Sequence, residues 1–163
     1  MESTILFAVS VLAGLIVWSK ISRKYLWLPY KDLELKRAAD PILFLHLFRF
    51  AGLSFLIPGV VHAGLDPAWA IPAAFGDFAA AILAFITLSL ANSNNTLFRA
   101  FLWVFNTLGF ADLILAFING PRYGILPFLG AGYYIIILYV PLLLLTHLMV
   151  FKLLLQNKRL QPQ

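Results

Sequence analysis

Residues 66–91 read DPAWAIPAAFGDFAAAILAFITLSLA. From Trp69 to Ala91 the single ionisable side chain is Asp77. At ~1.5 Å per residue such a helix crosses ~30 Å of hydrocarbon. Asp66-Pro67 ahead of it supplies an N-cap acid and a proline at the first helical position. The stretch predicts a transmembrane helix with a carboxylate inside it, and the rest of the chain repeats the pattern.

Four further apolar stretches are long enough to cross or nearly cross: Thr4–Ser19, Ile42–His62, Leu97–Ile118 and Ala131–Leu155. Asp40-Pro41 has the form of a helix start before the second, and Asn94, Asn95 and Thr96 can cap the fourth. Of 163 residues, 62% are hydrophobic and 12% charged, against about half and a quarter in soluble domains. The expected fold is an all-α integral membrane bundle of five transmembrane helices in a single domain, residues 1–163. The absence of cysteine excludes disulfides, thiolate metal sites and cysteine nucleophiles.

The basic residues choose an orientation. Lys20, Arg23, Lys24, Lys31, Lys36 and Arg37 lie in the first connection, Arg99 in the third, and Lys152, Lys158 and Arg159 near the C-terminus. An excess of cations marks the cytoplasmic side, so the N-terminus is expected outside and the C-terminus in the cytoplasm. The net charge of +5 then follows from topology and does not point to nucleic acid. Met1-Glu2-Ser3 carries no cation and the cations follow the apolar run, the pattern of an uncleaved anchor.

The segment 20–40 interleaves Trp27, Leu28, Tyr30, Leu33 and Leu35 with Lys and Arg. It is expected to lie along the cytoplasmic interface, its cations (20–37) facing anionic lipid; a plain solvated loop is the alternative. Tyr123–Gly132, broken by Gly124, Pro127, Gly130 and Gly132, reads as a short interfacial or re-entrant piece on the outer side.

Inside the apolar stretches sit Arg49, Asp77, Asn106, Asp112 and His147, with His46 one turn before Arg49. An ionised group in hydrocarbon costs several kcal/mol (roughly 3 on insertion scales), so it must be paired or wetted. Arg49 requires a counter-charge, and Asp77 or Asp112 is available; a guanidinium can hold a carboxylate through two donors. Two acids and one Arg leave a surplus negative charge if all ionise, so one carboxylate is expected to hold a proton more readily or to use His147 as a second partner. Gly52, Gly76 and Gly109 flank these positions, so the face that packs closely is expected to carry the charges. Pro141, six residues before His147, frees the Ile137 carbonyl and bends its helix, as a hinge, a carbonyl ligand or a static kink.

The spacings Arg49-x-x-Gly52-x-x-Phe55-Leu56, Pro72-x-x-x-Gly76-Asp77, Asn106-x-x-Gly109-x-x-Asp112-Leu113 and Pro141 with His147 resemble those of a family of small bacterial membrane proteins without an assigned activity. The resemblance covers about Ile42–Lys152 and implies that the polar positions form one site in a bacterial cytoplasmic (inner) membrane protein.

Three function classes remain open. The first is binding or transport of a small solute or protons at Arg49, Asp77, Asn106, Asp112 and His147, supported by His46, Gly52, Gly76, Gly109 and Pro141; there Arg49 could grip an anion. The second is a cofactor protein, with haem on His46 and His147 or a metal on Asp77, Asp112 and His147. The third is a structural or assembly subunit, with a homo-oligomer as one form. No Gly-rich phosphate loop, Ser/His/Asp spacing or mid-span lysine points to an enzyme.

Overall fold

The computed structural model describes residues 2–91 and 95–157, so Asn94, Lys158 and Arg159 lie outside the described residues. Helix α1 (Glu2–Ser22) continues through a π-helical turn, Arg23–Trp27. Helix α2 (Leu35–Leu47) passes directly into a 3-10 helix, Phe48–Leu56. Helices α3 (Pro67–Ser89) and α4 (Asn95–Arg122) follow. The last crossing begins with the short α5 (Gly132–Tyr134), widens into a π turn (Ile135–Tyr139) and ends in α6 (Val140–Asn157). Five of these helical runs are long and apolar enough to cross a membrane.

Local chemistry sets most of the boundaries. Asp66 caps α3, its Oδ1 accepting from the Ala68 N–H at 2.8 Å with Pro67 at the first position. The second crossing stops at Leu56, six residues short of the expected His62. Ile57 is extended (φ −95°, ψ 117°) because it precedes Pro58, and Gly59 at φ +88° completes the turn.

The start expected at Asp40-Pro41 is overturned. Glu34 occupies the N-cap position and Pro41 lies inside α2. The additional turn buries Ala38 and Ala39 completely, and this packing outweighs the hydrogen bond that proline removes. The segment 20–40 is consequently divided between the end of α1 and the start of α2, joined by a turn at residues 28–34. Lys152 places its ammonium 4.4 Å from the centre of the Trp27 ring. The connection after α4 holds a 3-10 turn, Leu126–Phe128. It joins the Pro58 turn through His62 N–H to Phe128 C=O and Ala131 N–H to Val60 C=O.

Along α3 beyond Trp69, packing places small residues inside and large ones outside. Helix α3 buries Ala70, Ala73, Ala74, Ala80, Ala81 and Ala84 while exposing Ile71, Phe75, Phe78, Ile82 and Phe85. This suits helices whose backbones must approach closely and whose outer surface faces hydrocarbon. Helix α3 packs chiefly on the 3-10 helix and on α4, and α1 rests mainly on α6. Two apolar clusters result, one around Leu43, Ala84, Phe105 and Val150 and the other around Phe55, Trp69, Ala73 and Ile136. On each of the four inner crossings the polar residues lie between these clusters.

The proline in the last crossing is closed over by α1. Trp18 donates its indole N–H to the Leu138 carbonyl at 2.6 Å, within the π turn that precedes Pro141. Gly14 lies so close to the Ile137 carbonyl that a Cβ there would sit 2.5 Å from the oxygen. The segment before Pro141 is thus packed against α1, with the Ile137 and Leu138 carbonyls turned toward it. A Gly14→Leu substitution should separate α1 from α6 and cost about 1–3 kcal/mol, read as a lowered unfolding midpoint of the purified protein in detergent. An unchanged midpoint would contradict this packing.

Candidate functional site

The second crossing positions its arginine through the 3-10 helix. In that geometry side chains three apart eclipse, and Arg49, Gly52 and Phe55 form one buried ridge. An α-helix would have carried them progressively out of line. The change of winding occurs beside Leu45, whose carbonyl accepts from the Tyr139 hydroxyl at 2.7 Å.

Arg49 is fully buried and its guanidinium is divided among three helices. Nε donates to Asp77 Oδ1 on α3 at 2.8 Å, and Nη2 to Asp112 Oδ2 on α4 at 2.8 Å. Nη1 donates to the Gly109 carbonyl at 3.1 Å and faces His147 Nε2 on α6 at 3.2 Å. Both carboxylates proposed as partners are therefore used at once, each through one oxygen.

The hydrogen-bond pattern fixes the histidine tautomers. A guanidinium has no acceptor, so His147 Nε2 must accept and the ring proton sits on Nδ1. That proton points at Asn106 Oδ1, 2.8 Å away, while Asn106 Nδ2 returns a bond to the His147 carbonyl at 3.2 Å. His46 lies 2.9 Å from Thr146 Oγ1 through Nε2. The Thr146 hydroxyl proton is directed to the Leu142 and Leu143 carbonyls, so His46 Nε2 donates. His46 Nδ1 is then a buried acceptor without a hydrogen-bond partner.

Each charged side chain lies over a glycine of a neighbouring helix. Asp77 covers Gly52, where a Cβ would sit 2.6 Å from the Asp77 Cβ. Asp112 covers Gly76, where a Cβ would overlap its carboxylate. Arg49 and His147 cover Gly109, each with an atom 2.8 Å from a Cβ built there. The glycines expected to permit close packing thus serve a narrower purpose: Gly52 and Gly76 each make room for a carboxylate of the following helix, and Gly109 for Arg49 and His147.

Asp77 and Asp112 also line a cavity of about 360 Å³. Its walls are apolar and include Phe7, Phe55, Trp69, Phe117 and Ile136, and its rim reaches Ser3, Thr4 and Gly124. The Asp77 side chain is 11% exposed and that of Asp112 22%, against 0% for Arg49. The network therefore has an open side, made of carboxylates, and a closed side holding Arg49, Asn106 and His147. Sequence reasoning brought these five residues together but missed Thr146, Tyr139 and the aromatic cavity walls, whose residue types read as ordinary apolar helix.

The geometry leaves little room for the cofactor alternatives. The His46 and His147 rings are in direct contact, with centroids 4.4 Å apart, so no porphyrin fits between them, and both nitrogens of His147 are occupied. Arg49 stands among Asp77, Asp112 and His147, and no group of three or more His, Cys, Asp or Glu among the described residues is placed to hold a metal ion.

An Arg49→Gln substitution leaves two carboxylates facing each other in a buried layer. It should cost about 3–5 kcal/mol, the range for breaking a buried ion pair, and more than Asp112→Asn. The combined Arg49→Gln, Asp77→Asn and Asp112→Asn variant should recover part of the loss. Denaturant unfolding of the three purified proteins checks this order.

Comparison with known proteins adds a family but no activity. A family model described as a domain of unknown function (DUF8737) matches residues 6–155. No curated protein and no solved structure matches the chain. Since the match covers most of the chain, the chain belongs to this family of unknown function.

Proposed function

We propose that this is a multi-pass protein of the bacterial cytoplasmic membrane that binds or transports a small solute or protons at its carboxylate-floored cavity. The observation that carries the reading is the union of two features. A polar network built from four crossings holds Asp77 and Asp112 rigidly, and those two residues are the ionisable groups of a cavity large enough for a small ligand. A network serving only to lock the bundle would not require an open side. In this reading Asp77 and Asp112 meet the ligand, while Arg49, His147 and Asn106 hold them from behind.

The orientation remains as the cations suggest, with the N-terminus outside. Lys36 lies over the Phe98 ring at 5.8 Å, Arg99 donates to the Leu154 carbonyl at 3.4 Å, and Lys152 covers Trp27. These contacts gather the basic residues at one end of the bundle, where they face anionic lipid of the inner leaflet. The cavity rim at Ser3, Thr4 and Gly124 then belongs to the opposite, outer end.

Two measurements test the proposal. The cysteine-free chain allows single cysteines to be introduced cleanly: Ser3→Cys should react with a membrane-impermeant maleimide in intact cells, and Lys31→Cys only after permeabilisation. The reverse pattern would overturn the orientation. Native mass spectrometry of the gently extracted protein should show a discrete small adduct, or liposomes should show proton flux by an internal pH dye. Either signal should be lost in Ala116→Phe, which fills the cavity. A protein carrying only lipid and conducting nothing would contradict the function.

A further inference from the structure

The sequence leaves open whether the site takes an anion on Arg49 or something else, and the structure bears directly on this choice. The guanidinium is fully buried, and its donors are directed at Asp77, Asp112, the Gly109 carbonyl and His147. Arg49 does not line the cavity. An anion in the cavity would meet carboxylates before it met the arginine. The groups it would meet are also incompletely used. Asp77 Oδ2 and Asp112 Oδ1 receive no hydrogen bond from the described residues; each packs against a glycine of the neighbouring helix, Gly52 and Gly76 respectively.

Charge counting leads to the same side. His147 accepts from Arg49 and so is neutral, leaving one guanidinium against two carboxylates. With both carboxylates ionised, one negative charge is left over in a buried layer, where an unbalanced charge is costly. The walls above the carboxylates are apolar and aromatic, with Phe7, Phe55, Trp69 and Phe117 among them. Aromatic faces attract cations as well as apolar groups. The rim is roughly 15 Å above Asp112, given the ten residues of α4 between Asp112 and Arg122.

Resting on the function proposed above, we infer that the cavity takes an amphiphilic organic cation: an amine whose ammonium sits at Asp112 and Asp77 and whose apolar body fills the aromatic space toward the rim. A free amine fits better than the ammonium of a phospholipid headgroup, because the adjoining phosphate would face the same two carboxylates.

The test uses three probes of one shape, 4-phenylbutylammonium, 4-phenylbutanol and 4-phenylbutanoate. Saturable binding to the full chain in phosphatidylglycerol nanodiscs is measured by equilibrium dialysis, with empty discs as the blank. The ammonium should bind at least roughly tenfold tighter than the alcohol, the range expected for a charge-assisted hydrogen bond, and the anion weakest. Asp112→Asn should reduce the ammonium to the affinity of the alcohol while leaving the alcohol unchanged. Ala116→Phe, which retains all the charges, should abolish binding of all three. Equal affinities, or a preference for the anion, would overturn the cation assignment while leaving a binding cavity in place. An ammonium preference unchanged in Asp112→Asn would place the binding elsewhere and overturn it as well. Binding of no probe would overturn it too, and the adduct and flux measurements above would then decide separately whether the cavity has any solute. Displacement of the amine by added phosphatidylethanolamine would overturn the free-amine form of the assignment.

Discussion

The constraint on which the rest of the structure depends is a single buried guanidinium. Arg49 has donors in a rigid plane and no acceptor, and in a layer sealed by apolar clusters each donor must find a partner within the protein. Those partners come from α3, α4 and α6. Satisfying one side chain therefore fixes the relative positions of four crossings. Helix α1 stands outside this arrangement and is held instead by Gly14, Trp18 and the π turn before Pro141.

Two local devices make the convergence possible. The first is the 3-10 helix, which places Arg49, Gly52 and Phe55 on one ridge and, at ~2.0 Å per residue, stretches nine residues over about 18 Å. The second is the set of three glycines. Each charged group requires space between closely packed backbones, and Gly52, Gly76 and Gly109 provide it on successive helices. A lysine at position 49 would carry the charge but could not divide planar donors between two carboxylates. Charge, winding and glycine placement thus form one design.

Much of this was legible in the residues. Apolar length gave the five helical runs long enough to span a membrane, and Asp66-Pro67 gave the start of α3. The rarity of ionisable groups in such runs singled out Arg49, Asp77, Asn106, Asp112 and His147. Other features were hidden for physical reasons. Asp40-Pro41 has the form of a helix start, but burial of Ala38 and Ala39 extends the helix past it, and that burial depends on the helices α2 packs against, chiefly α3 and α6. The spacing of three among Arg49, Gly52 and Phe55 fits a 3-10 ridge, yet it is also common along α-helices, so it could not announce the winding. Which polar groups open onto a cavity depends on the walls. Phe7, Trp69 and Phe117 come from three helices and carry no mark in sequence that distinguishes them from outward-facing aromatics such as Phe75 and Phe85. That is why the sequence offered Arg49 as an anion grip, whereas the structure turns the carboxylates outward.

The most direct test of the central claim is solid-state NMR of the protein in lipid, measuring nitrogen–carbon dipolar couplings between the Arg49 guanidinium and the Asp77 and Asp112 carboxyl carbons, together with the His147 ring nitrogen shifts. Both carboxyl carbons should couple to the one guanidinium, and His147 should be neutral with its proton on Nδ1. A guanidinium coupled to one carboxyl or to neither, or a His147 protonated on Nε2, would contradict it.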